Sequence, residues 1–503
     1  MNVACFNLVL VVGLTVQSST AVCGASPVRR DIADFGHALR TTDGGLFGCL
    51  GGSPGQIRDA LVTIGDPPRG AWRIEVDATA PAGVVGVFIA LSNPSASSPD
   101  LLGFPEQSKA PCFLNIRVLG RLGGRRVGLS LSSSTEAGDA VSLGYLDELV
   151  PDRWQVVSLA VPVAVLRRAA SGAIRLSFVG EGAAWLAIDR IALSSTAGDL
   201  PGDQPVEHAA VNAPHAIHRA LWVWNTSVLL ESPGGVDELL ALCRRWRMTD
   251  LFWQVPYTYR DGRVELEHVI AQRRFNASAH RAGITVHALD GGSDYVRRAN
   301  HPRMLALVDA LVRFNGDSPR DARYRAVHLD NEPYVLPEWK NPATRRSLLD
   351  DYMTLNRVLS RRVRGAGMAF GVDIPFWWDA RDAAGRALFT VQREEGTKPL
   401  LEALFALLDN AGVMAYRQRV LGPNGVIAHC EGEFDLGARL GVDVFAAVEL
   451  GSGDDVEPGT TLGPYGLDYF RAQVDTLQAV LAYRPGCAGY AIHYYSALKA
   501  MEN

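Results

Sequence analysis

Residues 326–334, Ala-Val-His-Leu-Asp-Asn-Glu-Pro-Tyr, decide how the second half of this chain is interpreted. Residues 324–329, Tyr-Arg-Ala-Val-His-Leu, are typical of a buried strand, and a polar Asp-Asn-Glu segment ends it just before Pro333. Moving a carboxylate out of water is costly, so a carboxylate at such a position usually has a partner or a chemical task. The stretch therefore predicts a strand that presents a functional Glu332 at its carboxyl end.

On both sides of this stretch, buried strands alternate with amphipathic helices. The predicted strands span 220–225, 250–255, 284–289, 324–329, 368–374, 412–416, 442–450 and 489–494, and predicted helices separate them at 235–246, 269–282, 302–314, 343–364, 399–408, 427–440 and 467–483. This alternation predicts a closed (β/α)8 TIM barrel over residues 216–503. A doubly wound open sheet is the competitor, but no Gly-x-Gly-x-x-Gly turn follows the first strand.

The first half of the chain has a different pattern. Apolar residues recur with period two from about residue 31 to 193, which predicts antiparallel strands in two packed sheets, with one short helix at 163–170. The order of features resembles the jelly-roll modules beside secreted glycosidases, which implies a carbohydrate-binding-like β-sandwich over residues 26–196. Sugar binding and a purely structural role both remain open, and Trp72, Trp154 and Trp185 are predicted to pack in its core. Residues 197–215 are rich in Gly, Pro, Asp and Ala and are the predicted linker.

Residues 1–25 are typical of a removable export signal. Residues 8–14 form its apolar core, and small residues at 23–25 precede a cut at Ser26. We therefore expect a secreted or periplasmic protein. No other stretch is long and apolar enough for an integral membrane span. A net charge of −5 gives no reason to expect nucleic acid as a partner.

The cysteines leave two interpretations open. Removal of the signal leaves five, at Cys49, Cys112, Cys243, Cys430 and Cys487. An oxidising compartment permits Cys49–Cys112 and Cys430–Cys487 bridges, with Cys243 buried on a helix. All five are equally compatible with small core residues, because pairing cannot be deduced from sequence.

Two glutamates at strand ends suggest an activity. Asn331-Glu332-Pro333 resembles the Asn-Glu-Pro signature of the retaining glycoside hydrolases of clan A, and Glu449 closes the predicted seventh strand. In that clan, a glutamate after strand four is the acid/base and a glutamate at strand seven is the nucleophile. The resemblance implies a retaining β-glycoside hydrolase acting on a poly- or oligosaccharide, with no cofactor or metal. Its two carboxyls would lie roughly 5 to 5.5 Å apart. Each glutamate alone is equally compatible with a salt bridge at the barrel rim.

Other side chains at strand ends are candidate sugar contacts. The resemblance implies that Asn331 binds the sugar 2-hydroxyl and that Tyr416 holds the nucleophile. Aromatic faces stack on sugar rings and polar groups bind hydroxyls. On this basis the further candidates are Trp253, Trp377, Trp378, His287, Asp290, His493 and Tyr494. The clan commonly has a tryptophan after strand eight, where this chain has His493 and Tyr494.

Two other functional classes compete. A metal-dependent hydrolase would use His328 and Asp330, which alternate onto one face of strand four, with His287 and His493 nearby. The histidines are scattered, however, and no His-x-His pair exists. A non-catalytic glycan-binding protein would use the sandwich and the aromatic rim equally well.

Overall fold

The computed structural model describes most of the chain. It covers residues 29–35, 47–49, 53–65, 69–80, 85–90, 112–132, 140–146, 149–161, 173–200, 215–393, 396–452 and 456–502. The predicted export signal, the predicted helix at 163–170 and residues 201–214 of the predicted linker lie outside these ranges. Within them, no helix combines the length and the apolar character that crossing a membrane requires.

The first part of the chain forms two antiparallel sheets. Its strands are β1 (Arg29–Asp34), β2 (Phe47–Cys49), β3 (Ile57–Ile64), β4 (Arg69–Val76), β5 (Val85–Ala90), β6 (Cys112–Arg121), β7 (Arg126–Ser132), β8 (Ala140–Leu146), β9 (Gln155–Val161), β10 (Ala173–Val179) and β11 (Ala184–Ser194). One sheet has the order β3-β4-β11-β6-β9, with β1 also paired to β11, and the other has the order β2-β5-β10-β7-β8. The prediction of antiparallel strands in two sheets is confirmed.

The three tryptophans of this sandwich do not share one environment. Trp72 is fully buried in the core, and its Nε1 donates to Asp59 Oδ2 at 3.2 Å. Trp185 alternates with Leu186, so its side chain lies on the opposite face of β11 from the core, and Trp154 packs in the same small outer cluster. Core packing is therefore confirmed for Trp72, whereas Trp154 and Trp185 are partly exposed and pack against a second, smaller buried cluster.

The second part of the chain contains twelve described strands. They are β12 (His218–Val223), β13 (Asp250–Gln254), β14 (Tyr257–Arg260), β15 (Arg263–Leu266), β16 (Thr285–Asp290), β17 (Ala326–Leu329), β18 (Ala369–Pro375), β19 (Thr390–Arg393), β20 (Gly396–Pro399), β21 (Asn410–Met414), β22 (Asp443–Glu449) and β23 (Cys487–His493). Eight of them close a barrel in the order β12-β13-β16-β17-β18-β21-β22-β23, and β23 pairs in parallel with β12. The predicted (β/α)8 barrel is confirmed, and its strands begin within two residues of the predicted positions.

Helices separate successive barrel strands. The described helices are α1 (Thr226–Glu231), α2 (Gly235–Trp246), α3 (Val269–Arg281), α4 (His301–Gly316), α5 (Pro342–Gly365), α6 (Leu400–Phe405), α7 (Glu431–Leu440), α8 (Leu467–Leu481) and α9 (Tyr495–Glu502). All seven predicted helices are present, although α6 is shorter than predicted and α7 begins four residues late. The hairpins β14–β15 and β19–β20 were not predicted. They lie in the loops after the second and fifth barrel strands, on the side where the strands end.

The five described cysteines carry free thiols, and all five are buried. The hypothesis of Cys49–Cys112 and Cys430–Cys487 bridges is therefore wrong for this structure. Burial raises the pKa of the Cys112 thiol to about 11 and that of the Cys243 thiol to about 12. The alternative interpretation of the sequence, that all five are small core residues, therefore agrees with the structure. Burial keeps their side chains as neutral thiols.

Candidate active site

A polar layer crosses the inside of the barrel below its mouth. His328 is fully buried on β17. Its Nε2 lies 2.8 Å from Asp373 Oδ1, and its Nδ1 lies 3.0 Å from Asn410 Oδ1. The other Asp373 oxygen accepts a hydrogen bond from Trp222 Nε1 at 3.2 Å. Four strands are thus joined through one aspartate and one histidine.

Two glycines create the space for this layer. A Cβ at Gly371 would lie 2.6 Å from His328 Nδ1, and a Cβ at Gly412 would overlap Asp373 Oδ1. Cβ atoms essentially never approach other atoms this closely, so any side chain there would displace the network. The Gly-x-Asp pattern on β18 and the Gly412 position on β21 therefore hold Asp373 at the centre of the barrel.

Glu332 stands above this layer, three residues after the end of β17. The Tyr334 hydroxyl donates a hydrogen bond to Glu332 Oε1. Burial raises the pKa of Glu332; the bond from Tyr334 opposes that rise, the Asp373 charge adds to it, and His493 opposes it. A carboxyl with a raised pKa retains its proton at a higher pH, which suits a general acid.

Asp330 completes a group of three carboxyls. Burial raises its pKa well above the usual value, and the charges of Asp373 and Glu332 raise it further. Asp330 Oδ1 is buried without a hydrogen-bond partner among the described residues. A buried carboxyl of this kind is most stable when protonated, and it then offers one O–H donor.

Glu449 occupies the last position of β22, beside His493 on β23. Its Oε2 lies 2.6 Å from His493 Nδ1, and its Oε1 accepts the Gly451 backbone N–H. Trp224 Nε1 approaches the other ring nitrogen, Nε2 of His493, at 3.1 Å. An indole N–H can only donate, so Nε2 accepts and the imidazole proton is on Nδ1, facing Glu449. Both Glu449 oxygens thus accept hydrogen bonds from fixed donors.

Tyr416 and Tyr494 lie next to this pair. The Tyr416 ring stacks on the His493 ring with centroids 5.8 Å apart. Burial raises the pKa of the Tyr416 hydroxyl well above the usual value, and the Glu449 charge adds to the rise. The Tyr494 ring is 4.9 Å from His493, across a cis peptide bond. The structure therefore brings together Glu449, His493, Tyr416 and Tyr494, as the strand-end argument predicted.

His493 is a neighbour of both candidate catalytic glutamates. It hydrogen-bonds Glu449 through Nδ1, and it lies near enough to Glu332 to lower the pKa of that carboxyl. Glu332, which follows β17, and Glu449, which ends β22, therefore lie in one region of the barrel mouth.

An aromatic wall of four residues, Tyr334, Trp339, Trp377 and Phe389, borders Glu332. Tyr334 and Trp377 have ring centroids 5.4 Å apart, and Trp377 lies 5.7 Å from Trp339 and 5.2 Å from Phe389. All four side chains are partly exposed. The wall begins at the tyrosine bonded to Glu332 and extends away along the loops after the fourth and fifth barrel strands.

Three predicted sugar contacts are almost fully buried. Trp253 has 0% exposure and stacks on Phe275 of α3 with centroids 3.8 Å apart, so it has no free face for a sugar. Trp378 has 1% exposure and packs edge-on against Tyr352. Asn331 has 2% exposure, and its Oδ1 accepts from Gly292 N of the neighbouring loop at 3.2 Å. The assignments of Trp253 and Trp378 are corrected, because these side chains pack against Phe275 and Tyr352. Asn331 Nδ2 is buried without a described hydrogen-bond partner, and its role as a sugar contact stays a prediction.

His287 and Asp290 also lie outside the mouth. His287 Nε2 is 3.0 Å from Oδ1 of Asp250, the first residue of β13 at the amino end of the barrel. The His287 side chain is buried. Asp290 accepts a hydrogen bond from the Tyr257 hydroxyl at 2.8 Å, in a separate cluster that includes Arg303. Neither side chain makes a described contact with Glu332 or Glu449.

The residues that sequence reasoning undervalued are Asp330, Trp224 and Tyr334. The sequence predicts Asp330 only as a possible metal ligand, yet the charge of Glu332 raises the Asp330 pKa in the structure. The available signal was the Asp-x-Glu spacing, which places both carboxyls after one strand. Among the described residues, no group of three or more His, Cys, Asp or Glu side chains is arranged to hold a metal ion.

No protein-family model matches this sequence, and no curated protein matches it. Solved structures to which this chain has a weak similarity include a Clostridium thermocellum xylanase 10B fragment with CBM22 and GH10 modules, at 11% identity over 92% of this chain and 90% of that one, with a TM-score of 0.34. A Chromobacterium violaceum chitinase has 15% identity over 57% of this chain and 98% of that one, with a TM-score of 0.34. The Bacillus cereus spore cortex-lytic enzyme SleL has 10% identity over 58% and 75%, with a TM-score of 0.37. Similarities at these TM-scores support no inference about the function of this chain.

Proposed function

We propose that this protein is a glycoside hydrolase in which Glu332 is the proton donor to the leaving group. The observation that supports this most directly is the position of Glu332 beside Asp330 and Asp373 at the carboxyl end of the barrel. Burial raises the Glu332 pKa, and Tyr334 holds the carboxyl in place. A carboxyl with a raised pKa keeps its proton to a higher pH and can then protonate a glycosidic oxygen, and the aromatic wall beside it suits a sugar ring.

The proposed reaction is a double displacement on a β-linked poly- or oligosaccharide. Glu449 attacks the anomeric carbon while the bond from that carbon to the leaving oxygen breaks, and Glu332 gives this oxygen its proton. Water then attacks the glycosyl–Glu449 ester, Glu332 takes up one water proton, and Glu449 is released. Support comes from Glu449 at the end of β22, whose oxygens accept hydrogen bonds from His493 and Gly451 and whose charge raises the pKa of Tyr416.

A second mechanism is favoured by Asp330. Some glycoside hydrolases use the substrate's own acetamide oxygen as the nucleophile. Asp330 lies two residues before Glu332, and its Oδ1 has no described partner, so it is free to bind an acetamide group. In this mechanism the substrate is an N-acetylated sugar, Glu332 keeps its role, and Glu449 only positions His493.

The remaining parts of the proposal follow from the sequence. We propose export through residues 1–25, and a jelly-roll topology for the sandwich over residues 26–196 with residues 197–215 as the connection. The substrate is a carbohydrate, and neither nucleic acid nor a membrane span is part of the proposal.

The test combines substrates with three variants. The wild-type protein is screened against aryl β-glycosides with and without a 2-acetamido group, and product anomers are followed by NMR. Glu332→Gln is expected to lower kcat by about 10²- to 10⁴-fold. Under double displacement, Glu449→Gln is expected to lower kcat by the same factor, and a 2-deoxy-2-fluoro glycoside is expected to label Glu449 covalently. Under the acetamide mechanism, Asp330→Asn is expected to lower kcat instead, and Glu449 is not labelled.

Two results would overturn the proposal. One is full activity in Glu332→Gln. The other is oligosaccharide binding without turnover of any glycoside, which would indicate the non-catalytic glycan-binding protein.

A further inference from the structure

The segment that follows the sixth barrel strand is packed rather than free. We refer to residues 416–427 as the Tyr416 loop. Val420, Leu421, Val426 and Ile427 are buried in the large apolar core, and Val426 N donates to Arg419 O at 3.1 Å. The loop therefore has its own internal fold, directly after a tyrosine of the candidate site.

The backbone of this loop touches the sandwich. Gly422 N donates to the carbonyl oxygen of Phe47 on β2 at 3.0 Å. Gly422 has a positive φ of 95°, and a Cβ there would lie 2.6 Å from Cys49 O; a Cβ at Gly48 would lie 2.7 Å from Gly422 Cα. Because a Cβ at either position would clash, the close approach of the strand and the loop requires glycine at both Gly48 and Gly422.

One side chain joins the loop to the sandwich from the other side. Gln473 on α8 has 1% exposure. Its Oε1 accepts from Val420 N at 2.8 Å, and its Nε2 donates to Asp59 O of β3 at 2.9 Å. Three residues along α8, Thr476 Oγ1 accepts from Leu61 N at 3.1 Å. Helix α8 thus bonds both to the loop and to the sandwich edge strand.

A buried charge adds to this contact. Arg419 of the loop and Asp59 of β3 are both buried. Burial raises the pKa of the Asp59 carboxyl, and the Arg419 guanidinium opposes the rise. Cys49 Sγ and Trp72 Nε1 donate to the two Asp59 oxygens at 3.2 Å each. The Arg419 guanidinium of the loop therefore acts on Asp59 of β3 and on Cys49 of β2.

We propose that the β-sandwich is a fixed brace for the Tyr416 loop, and that Gln473 and Asp59 are positioning residues for the candidate active site. The proposal rests on the function proposed above. Catalytic groups must be held within about half an ångström of their productive positions. A loop that is already fixed at both ends loses little conformational freedom when substrate binds. The sandwich is then part of the enzyme's working structure, whether or not it also binds sugar.

The test uses two matched pairs of variants in the full chain. Gln473→Met removes both bridging hydrogen bonds. Its control, Gln478→Met, lies on the same helix and removes the bonds from Arg219 Nε and NH2 to Gln478 Oε1, far from the loop. Asp59→Asn neutralises the sandwich carboxyl, and its control, Asp152→Asn, removes the exposed carboxylate paired with Arg121.

Two readouts are compared, amide hydrogen exchange over residues 416–427 and steady-state kinetics. Gln473→Met and Asp59→Asn are expected to speed exchange in the loop about tenfold, as expected for the loss of one or two internal hydrogen bonds or a buried charge contact. They are expected to lower kcat about tenfold with KM changed less than about twofold. Both controls keep wild-type exchange and kcat.

The outcomes separate the brace from the proposed activity. Unchanged exchange in the loop of both test variants, or equal acceleration in the controls, overturns the brace. Faster exchange with an unchanged kcat overturns the positioning role. If Glu332→Gln stays active, the proposed function fails, yet the exchange experiment still decides the brace. If Gln473→Met does not fold, Asp59→Asn decides alone.

Discussion

Replacing Tyr334 by phenylalanine tests the electrostatics of Glu332 directly. The hydroxyl donates to Glu332 Oε1, and this bond lowers the carboxyl pKa by stabilising its ionised form. Removing the hydroxyl therefore raises the Glu332 pKa. A hydrogen bond to a charged group contributes about 1.5 to 3 kcal/mol, and the partial exposure of both side chains places the effect near the lower end. This corresponds to about one pH unit.

The assay is the pH dependence of kcat/KM. A general acid works only while protonated, so its pKa sets the limb on which activity falls as pH rises. In Tyr334→Phe that limb is expected to move about one pH unit upward, while the ring contact with Trp377 is kept. Tyr295→Phe is the matched control, because its hydroxyl bonds Tyr257 and not Glu332. A limb that stays in place, or that moves to lower pH, would refute the assignment of Glu332 as the acid.

Three further predictions concern other parts of the barrel. Burial raises the Asp290 pKa to about 6, so the folded state holds more protons than the unfolded state between the ordinary pKa of 3.8 and 6, and its stability contribution falls as pH rises through that range. Asp290→Asn is expected to stabilise the protein above pH 6 by at most about 3 kcal/mol in denaturant unfolding, with no gain at pH 3. Gly412→Ala, whose Cβ would overlap Asp373, is expected to cost about 1 to 3 kcal/mol of stability and most of the activity, whereas Gly365→Ala, which meets nothing within 4 Å, leaves both unchanged. Trp377→Ala is expected to raise KM for long oligosaccharides by roughly threefold to tenfold at constant kcat, as the loss of one stacking contact predicts; equal KM for long and short substrates would contradict this.

Local sequence patterns were sufficient to predict the two antiparallel sheets and the barrel. Period-two alternation marked the antiparallel strands because each of these sheets has one face on the core, as in β4, where Trp72 and Ile74 are buried and alternate with partly exposed residues. Alternation of buried strands and amphipathic helices marked the barrel. Residues at the carboxyl ends of parallel strands meet at one face, so Glu332 and Glu449 could be assigned to one mouth although 117 positions separate them.

Side-chain direction inside the barrel was beyond this kind of reasoning. Parallel barrel strands are buried on both faces, so neighbours such as Phe252 and Trp253 are equally apolar in the sequence. The structure points Phe252 to the barrel interior and Trp253 to helix α3. For the same reason the depth of His287 and the outward direction of Asp290 were missed.

The sequence by itself thus determined the two-part architecture and the two glutamates at strand ends, because burial periodicity and strand ends are local properties. Only the tertiary structure decided which groups meet: His493 with Glu449 and Trp224, Asp330 with Glu332, and Gln473 with the sandwich strand that carries Asp59, 414 residues earlier. Hydrogen bonds and carboxyl pKa values depend on distances of a few ångströms across the barrel, and chain order does not encode such distances locally.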